Sequence, residues 1–134
     1  MKIYTSYFAN GKKLSKAGIT MIGIALYPPK WFYGVSLKAV SPTYSILHEE
    51  NHEVYSERFR KEVLSRVDPK AFLESVERYS NGHDVALCCF EKPGDFCHRH
   101  LVADWLNEKL GLDVQEFGVK VSKEPHYVQG SLFG

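Results

Sequence analysis

Six consecutive residues, Val85 to Phe90, carry no polar side chain, and this run constrains the fold more than any other feature of the sequence. A strand of such composition is covered on both faces, as strands of parallel sheets are. A second apolar run, Ile19 to Leu26, ends at Pro28-Pro29, which cannot extend a ladder of hydrogen bonds. Because helical patterns separate these runs, the sequence predicts an α/β fold: a mostly parallel sheet flanked by helices on both faces, in one Rossmann-like domain.

Weaker patterns supply the remaining elements. They predict a strand over Ile3 to Phe8, helices over Lys12 to Ala17 and Val54 to Val67, a helix opened by Asp68-Pro69, a helix through Trp105 that ends at Gly111, and a short strand over Val114 to Phe117. Residues 30–53 have no clear period, and irregular segments of this length are often functional loops.

Size and charge restrict the class of protein. The chain has 134 residues, the length of one domain, and a formal net charge of +1, so any contact with nucleic acid would use a local patch. We expect a single α/β domain over residues 1–120 and a C-terminal tail over residues 121–134. The sequence shows no export signal and no membrane-length apolar run, and it has an odd number of cysteines, which together predict a cytoplasmic protein with reduced thiols and no membrane contact.

One segment, residues 88–100, concentrates reactive side chains where the buried strand ends and a helix begins. Cys97 near the start of this helix would be favoured as a thiolate, and His98 titrates near neutral pH and can move protons. Glu91, just after the strand, can orient a basic group or act as a base. We therefore predict Cys97, His98 and Glu91 as candidate catalytic residues, without predicting which reaction, if any, they perform.

The same edge of the sheet predicts an anion site. Arg99 carries a planar fork suited to phosphate, and the start of a helix attracts anions. Lys92 and Lys30 could add positive charge, while Trp31 and Tyr7 could stack on a base from the opposite wall. These residues predict a phosphate-bearing ligand, a nucleotide or a nucleic acid, and they predict no cofactor.

Three structural alternatives compete with this interpretation. Cys97 could simply anchor the helix start, and Arg99 could pair with Glu91 as a clamp. Zinc is a third possibility, since Cys89, Cys97, His98 and His100 are all ligand types. Their spacing matches no common zinc module, so the prediction is that there is no metal site, with a small zinc protein kept as an alternative.

The motif in this segment resembles that of the domain-of-unknown-function family numbered 488. Members typically have an apolar strand, the pattern C-x-E-K, a short loop, C-H-R and a helix; here the matching residues are Cys89, Glu91, Lys92, Cys97, His98 and Arg99. The resemblance implies that the fold and the site are shared, although the family name records no assigned activity. Members usually also carry an Asp-x-Arg pair and a proline after the second strand. This chain has Ala25-Leu26-Tyr27-Pro28 there, which implies altered or lost activity if the charged pair takes part in catalysis.

The C-terminal tail resembles a second known pattern, the peptide with which bacterial replication and repair proteins bind the sliding clamp. Gln129 would provide amide contacts, while Leu132 and Phe133 would fill an apolar pocket. The alternative is that Leu132 and Phe133 fold back onto the domain itself or pair across a dimer. The sequence thus predicts a protein that binds a phosphate-bearing substrate, with or without catalysis, and is recruited to DNA replication or repair through its tail. The alternative is a non-catalytic clamp- or nucleic-acid-associated binding module.

Overall fold

A parallel sheet forms the centre of the fold in the computed structural model, which describes residues 1–91 and 96–119. Within these residues the sheet has four strands in the order β2-β3-β1-β4, all pairing in parallel. The strands are β1 (Ile3–Tyr7), β2 (Ile19–Gly23), β3 (Asp84–Cys89) and β4 (Gln115–Glu116). The predicted α/β fold with a mostly parallel sheet is confirmed.

Helices cover both faces of this sheet. On one face, α1 (Gly11–Lys16) contributes Leu14 to a small apolar cluster with Ala86 and Cys88 of β3. On the other face lies the larger core, to which Val85 and Leu87 of β3 contribute. This side carries α2 (Tyr44–Leu47), α3 (His52–Arg58), α4 (Pro69–Tyr79) and α5 (His98–Leu110). The alternation of residues along β3 follows from the period of two in a strand, which sends neighbouring side chains to opposite faces.

Several predicted elements have different bounds in the structure. The predicted helix over Val54 to Val67 is α3, followed by a π-helical turn over Phe59–Val63 and a 3-10 turn over Leu64–Arg66. The predicted strand over Ile19 to Leu26 ends at Gly23. Helix α5 ends at Leu110 and is capped by Gly111, as predicted; Gly111 has a left-handed φ of 64° that glycine adopts without steric cost.

The carboxyl edge of the sheet brings together the segments that follow the first three strands. The Phe8 ring, just after β1, contacts the rings of Trp31 and Phe90 with centroid distances of 6.4 and 5.2 Å. Side chains after β1, β2 and β3 therefore meet at one edge, as ligand-binding segments of open α/β sheets do.

No helix in residues 1–91 and 96–119 combines the length and apolar character needed to cross a membrane. The predicted boundary between domain and tail stays a prediction, because residues 120–134 lie outside the described part of the chain.

Candidate functional site at the carboxyl edge of the sheet

A cavity of about 300 Å³ opens at the carboxyl edge, between the segment after β2, helices α2 and α3, and the start of α5. Cysteines, histidines and glutamates line it together with apolar residues. The described lining residues are Ala25, Leu26, Tyr27, Pro42, Leu47, Glu49, Glu50, His52, Tyr55, Cys89, Phe90, Glu91, Phe96, Cys97 and His98. The cavity is thus built around three of the residues that the sequence singled out, Cys97, His98 and Glu91.

Cys97 and His98 form a buried pair at the start of α5. Cys97 is the extended residue before the helix, and His98 is its first residue. His98 Nε2 donates a hydrogen bond to the carbonyl oxygen of Ile24 at 2.7 Å. Because a carbonyl can only accept, Nε2 carries the proton of the neutral ring, and Nδ1 is left with a free lone pair. Nδ1 lies 3.7 Å from Cys97 Sγ, so the unprotonated nitrogen faces the sulfur.

Burial controls the charge of His98. It lowers the pKa of His98 to about 4; the bond to Ile24 opposes this shift, while the nearby charge of Arg99 adds to it. The ring is therefore neutral at pH 7 and can accept a proton.

Cys89 completes a group of three donor residues. Its sulfur is bonded to that of Cys97 in a disulfide, with the Cα atoms 7.3 Å apart. The expectation of three reduced thiols is thus wrong for this pair, because the end of β3 and the start of α5 bring two cysteines eight positions apart into contact. Cys88 remains a free thiol. The Sγ atoms of Cys89 and Cys97 and a ring nitrogen of His98 all lie within 4.8 Å of one another.

Arg99 lies behind this group in the interior, not in the cavity. Its side chain is fully buried, and Nε and Nη2 each donate to one carboxylate oxygen of Glu116 at 3.0 Å. Nη1 donates to Cys89 Sγ at 2.9 Å, and Thr5 Oγ1 donates to Glu116 Oε1 at 2.6 Å. The partner of Arg99 is Glu116, so the clamp with Glu91 considered from the sequence is wrong. The reason is topological: β4 pairs with β1, next to α5, and presents Glu116 to the helix.

The other predicted site residues have different positions. Glu91 is exposed and lines the same cavity as Glu49 and Glu50. Lys30 is exposed and Trp31 is 57% exposed, and neither of them lines the cavity. Tyr7 is half-buried opposite Cys89 in the sheet, also outside the cavity. Lys92, Gln129, Leu132 and Phe133 lie outside the described residues. The anion-binding and stacking roles of these residues stay predictions.

Sequence reasoning missed the part of the wall supplied by α3. Tyr55 belongs to the apolar stripe of that helix, yet its side chain lines the cavity; burial, followed by the charge of Glu91, raises its pKa. The His52 ring stacks on Phe96 with a centroid distance of 4.1 Å. Helical periodicity does not show that these residues line a cavity, because a residue of a helical stripe does so only where the neighbouring elements leave space.

Comparison with known proteins places the chain in a family. The family model that matches is DUF488-N3a, described as the active DUF488-N3 subclade, over residues 7–110. No curated protein and no solved structure gives a significant match. The matched range contains the cavity and all of the C-x-E-K and C-H-R motifs, so the chain belongs to the DUF488 family.

Proposed function

We propose that this protein is a cysteine-dependent enzyme in which Cys97 attacks an electrophilic substrate bound in the cavity and His98 accepts the thiol proton. The observation that carries the proposal is the orientation of His98: its Nε2 proton is fixed on Ile24, so that Nδ1 faces Cys97 Sγ. A nucleophile beside a base that a third group orients is the arrangement that activates cysteine in enzymes. The description of the matching subclade as active also supports catalysis.

The start of α5 favours the charged form of the nucleophile. Cys97 precedes the first turn of a 13-residue helix, whose free N–H groups and dipole stabilise a thiolate. Transfer of the thiol proton to Nδ1 gives a thiolate–imidazolium pair, in which the negative sulfur offsets the burial that otherwise disfavours a charged His98. The enzyme acts in its reduced state, since the thiol of Cys97 is occupied while it is bonded to Cys89.

The wall of the cavity indicates the substrate class. Three acidic residues, Glu49, Glu50 and Glu91, line it, and no described lining residue is a lysine or an arginine. Ala25 and Tyr27 line it where family members usually carry a charged pair. This wall favours a neutral or cationic electrophile of small size. A phosphate-bearing substrate is the second candidate; the start of α5 at the cavity favours it, whereas Arg99, bonded to Glu116 and Cys89, does not supply the expected charge.

The proposal is tested by alkylation of the reduced protein with iodoacetamide at neutral pH, with peptide mass spectrometry to locate the label. We expect Cys97 to be labelled faster than in the unfolded chain. His98→Gln keeps a donor for Ile24 but removes the base, so labelling of Cys97 should slow by about the 100-fold or more that general-base catalysis typically provides. Cys88→Ser is the matched control and should label as the wild type does. Labelling of Cys97 no faster than in urea would contradict the proposal.

Recruitment to DNA replication or repair through the tail is a separate proposal that rests on the peptide pattern of Gln129, Leu132 and Phe133 alone. It is tested by capture on an immobilised bacterial sliding clamp, with the full chain and with a variant in which Leu132 and Phe133 are both alanine. Equal capture of the full chain and of the variant would show that Leu132 and Phe133 do not mediate binding to the clamp and would contradict this proposal. Clamp binding without a reactive Cys97 would favour the non-catalytic binding module instead.

A further inference from the structure

Three buried side chains at the cavity have the donor atoms of a metal site. The sulfurs of Cys89 and Cys97 and a ring nitrogen of His98 lie within 4.8 Å of one another. Two thiolates and one imidazole are a donor set that zinc and similar thiophilic cations prefer. We propose that the protein, once the disulfide is reduced, binds one zinc ion through Cys89, Cys97 and His98.

The orientation of His98 is that of a metal ligand. Histidines that bind a metal through one ring nitrogen almost always donate the N–H of the other to a carbonyl or carboxylate. His98 does so through Nε2 to Ile24, at 2.7 Å. This bond leaves Nδ1 on the side of Cys97 Sγ, so the lone pair already points to where the cation would sit.

Arg99 supplies the second element of such a site. Two thiolates balance the charge of one zinc ion, but sulfurs that are buried away from water still need hydrogen-bond donors. Arg99 donates to Cys89 Sγ from a fully buried guanidinium. Hydrogen bonds to a ligating sulfur stabilise its thiolate form and are a usual outer-shell contact of metal sites.

The spacing of the backbone leaves room for the ion. The Cα atoms of Cys89 and Cys97 are 7.3 Å apart, whereas those of disulfides usually lie about 4.4 to 6.8 Å apart. Two sulfurs on a tetrahedral zinc ion are separated by about 3.8 Å. When the disulfide is reduced to two thiols, the sulfurs can therefore separate around a cation, and its binding releases the two thiol protons.

The fourth coordination position opens into the cavity, because all three donor residues line it. Three protein ligands and an open position distinguish exchangeable or catalytic zinc sites from closed structural ones. A Cys97 thiolate that binds zinc cannot attack a substrate, so metal binding and alkylation of Cys97 exclude each other. The inference does not rest on the proposed function, because binding of the metal is measured without any reaction.

The experiment is a titration of the full-length protein with cobalt(II) chloride under anaerobic conditions. The disulfide is first reduced with a phosphine, which is converted to its oxide with oxygen from water and then removed. We expect one cobalt ion per chain, a thiolate-to-cobalt charge-transfer band in the near ultraviolet, and loss of that band when zinc chloride is added. Cys89→Ser, Cys97→Ser and His98→Gln should each weaken binding by more than the roughly 10–100-fold cost of losing an outer-shell contact.

Cys88→Ser is the matched control, because Cys88 is the neighbour of Cys89 on the opposite face of β3, and it should bind cobalt as the wild type does. Absence of the charge-transfer band in the wild type, or equal affinity of Cys88→Ser and Cys89→Ser, would overturn the inference. Circular dichroism shows whether the ligand variants are folded. If they are not, the test uses the wild type only: saturating zinc should protect Cys89 and Cys97 from iodoacetamide. Unchanged labelling in the presence of zinc would refute the site. Rapid, His98-dependent labelling of a protein that binds no metal would overturn this inference and leave the proposed function intact.

Discussion

Cys88 and Cys89 are neighbours on β3, yet the pleat of the strand places them in opposite environments. Cys88 packs in the small apolar cluster under α1 and donates only a weak hydrogen bond to Ala86. Burial raises its pKa to about 12, although the charge of Arg99 opposes the shift. Cys89 points to the other face, where it accepts a hydrogen bond from Arg99 and is bonded to Cys97. The comparison shows that strand face, and not residue type, decides whether a buried cysteine is inert or chemically engaged.

The largest expected effect concerns the rate at which the cysteines of the reduced protein react. Raising a thiol pKa from 9.0 to about 12 leaves about a thousandfold less thiolate at neutral pH. We therefore expect iodoacetamide to label Cys97, the proposed nucleophile, about 1000 times faster than Cys88, and to label Cys89, whose sulfur accepts a hydrogen bond from Arg99, faster than Cys88 as well. Time-resolved peptide mass spectrometry measures the three rates, with the protein unfolded in urea as the control in which they converge. Similar rates for Cys88 and Cys89 in the folded protein would break the comparison.

A second prediction concerns Arg99, whose guanidinium donates a hydrogen bond to Cys89 on its face of β3. Replacing Arg99 with methionine leaves the largely buried carboxylate of Glu116 without its cationic partner, so the free energy of unfolding should fall by about 3–5 kcal/mol. Urea denaturation measures the loss. The solvent-accessible pair of Arg58 and Glu62 is the matched control, and Arg58→Met should lower the free energy of unfolding far less than Arg99→Met does, because water replaces the lost partner. A double variant, Arg99→Met with Glu116→Leu, should recover much of the loss; equal effects of the two single variants would show that Arg99 is not the buried anchor described above.

The third prediction is a dependence of stability on pH. The pKa of His98 is about 4 in the folded protein, whereas a histidine in the unfolded chain has its ordinary pKa of 6.5. Between these two pH values the unfolded chain therefore binds more protons than the folded protein does. The stabilising contribution is complete above pH 6.5 and is lost as the pH falls towards 4; it amounts to about 3 kcal/mol. Urea denaturation at pH 7 and at pH 4.5 measures this loss. The difference between the two midpoints should be smaller in His98→Gln than in the wild type. Burial also lowers the pKa of His100, which therefore leaves a residual dependence of the same sign.

The smallest effect is expected at Cys88 itself. Cys88→Ala removes one buried sulfur from the cluster formed with Phe8, Leu14 and Ala86. The cost should be about 1 kcal/mol, that of a small cavity in an apolar cluster, and the labelling rate of Cys97 should not change. A shift in that rate larger than the error of the measurement would mean that the two faces of β3 are coupled.

Prediction from sequence succeeded where a local pattern carries the information. The apolar run that makes up most of β3 predicted a buried strand, and the motif around Cys97 and His98 predicted where the cavity lies. The partner of Arg99 could not be predicted in this way, since Glu116 lies on a two-residue strand far from the motif and reaches Arg99 only through the pairing of β4 with β1. The contribution of Tyr55 to the cavity wall was missed for a similar reason, because helical periodicity identifies the buried face but not the empty space beside it.

The sequence by itself determined the parallel α/β sheet and the position of the thiol and imidazole at its carboxyl edge. Both follow from hydrophobic periodicity and from the spacing of residues that are close together in the sequence, and these patterns can be identified without a structure. Only the tertiary structure decided that Arg99 is an interior ion-pair partner, that Cys89 and Cys97 meet, and that His98 is held neutral with Nδ1 towards the sulfur. The physical reason is that burial, ion pairing and the choice of a ring proton depend on distances between segments far apart in sequence, and these distances exist only after the sheet has assembled.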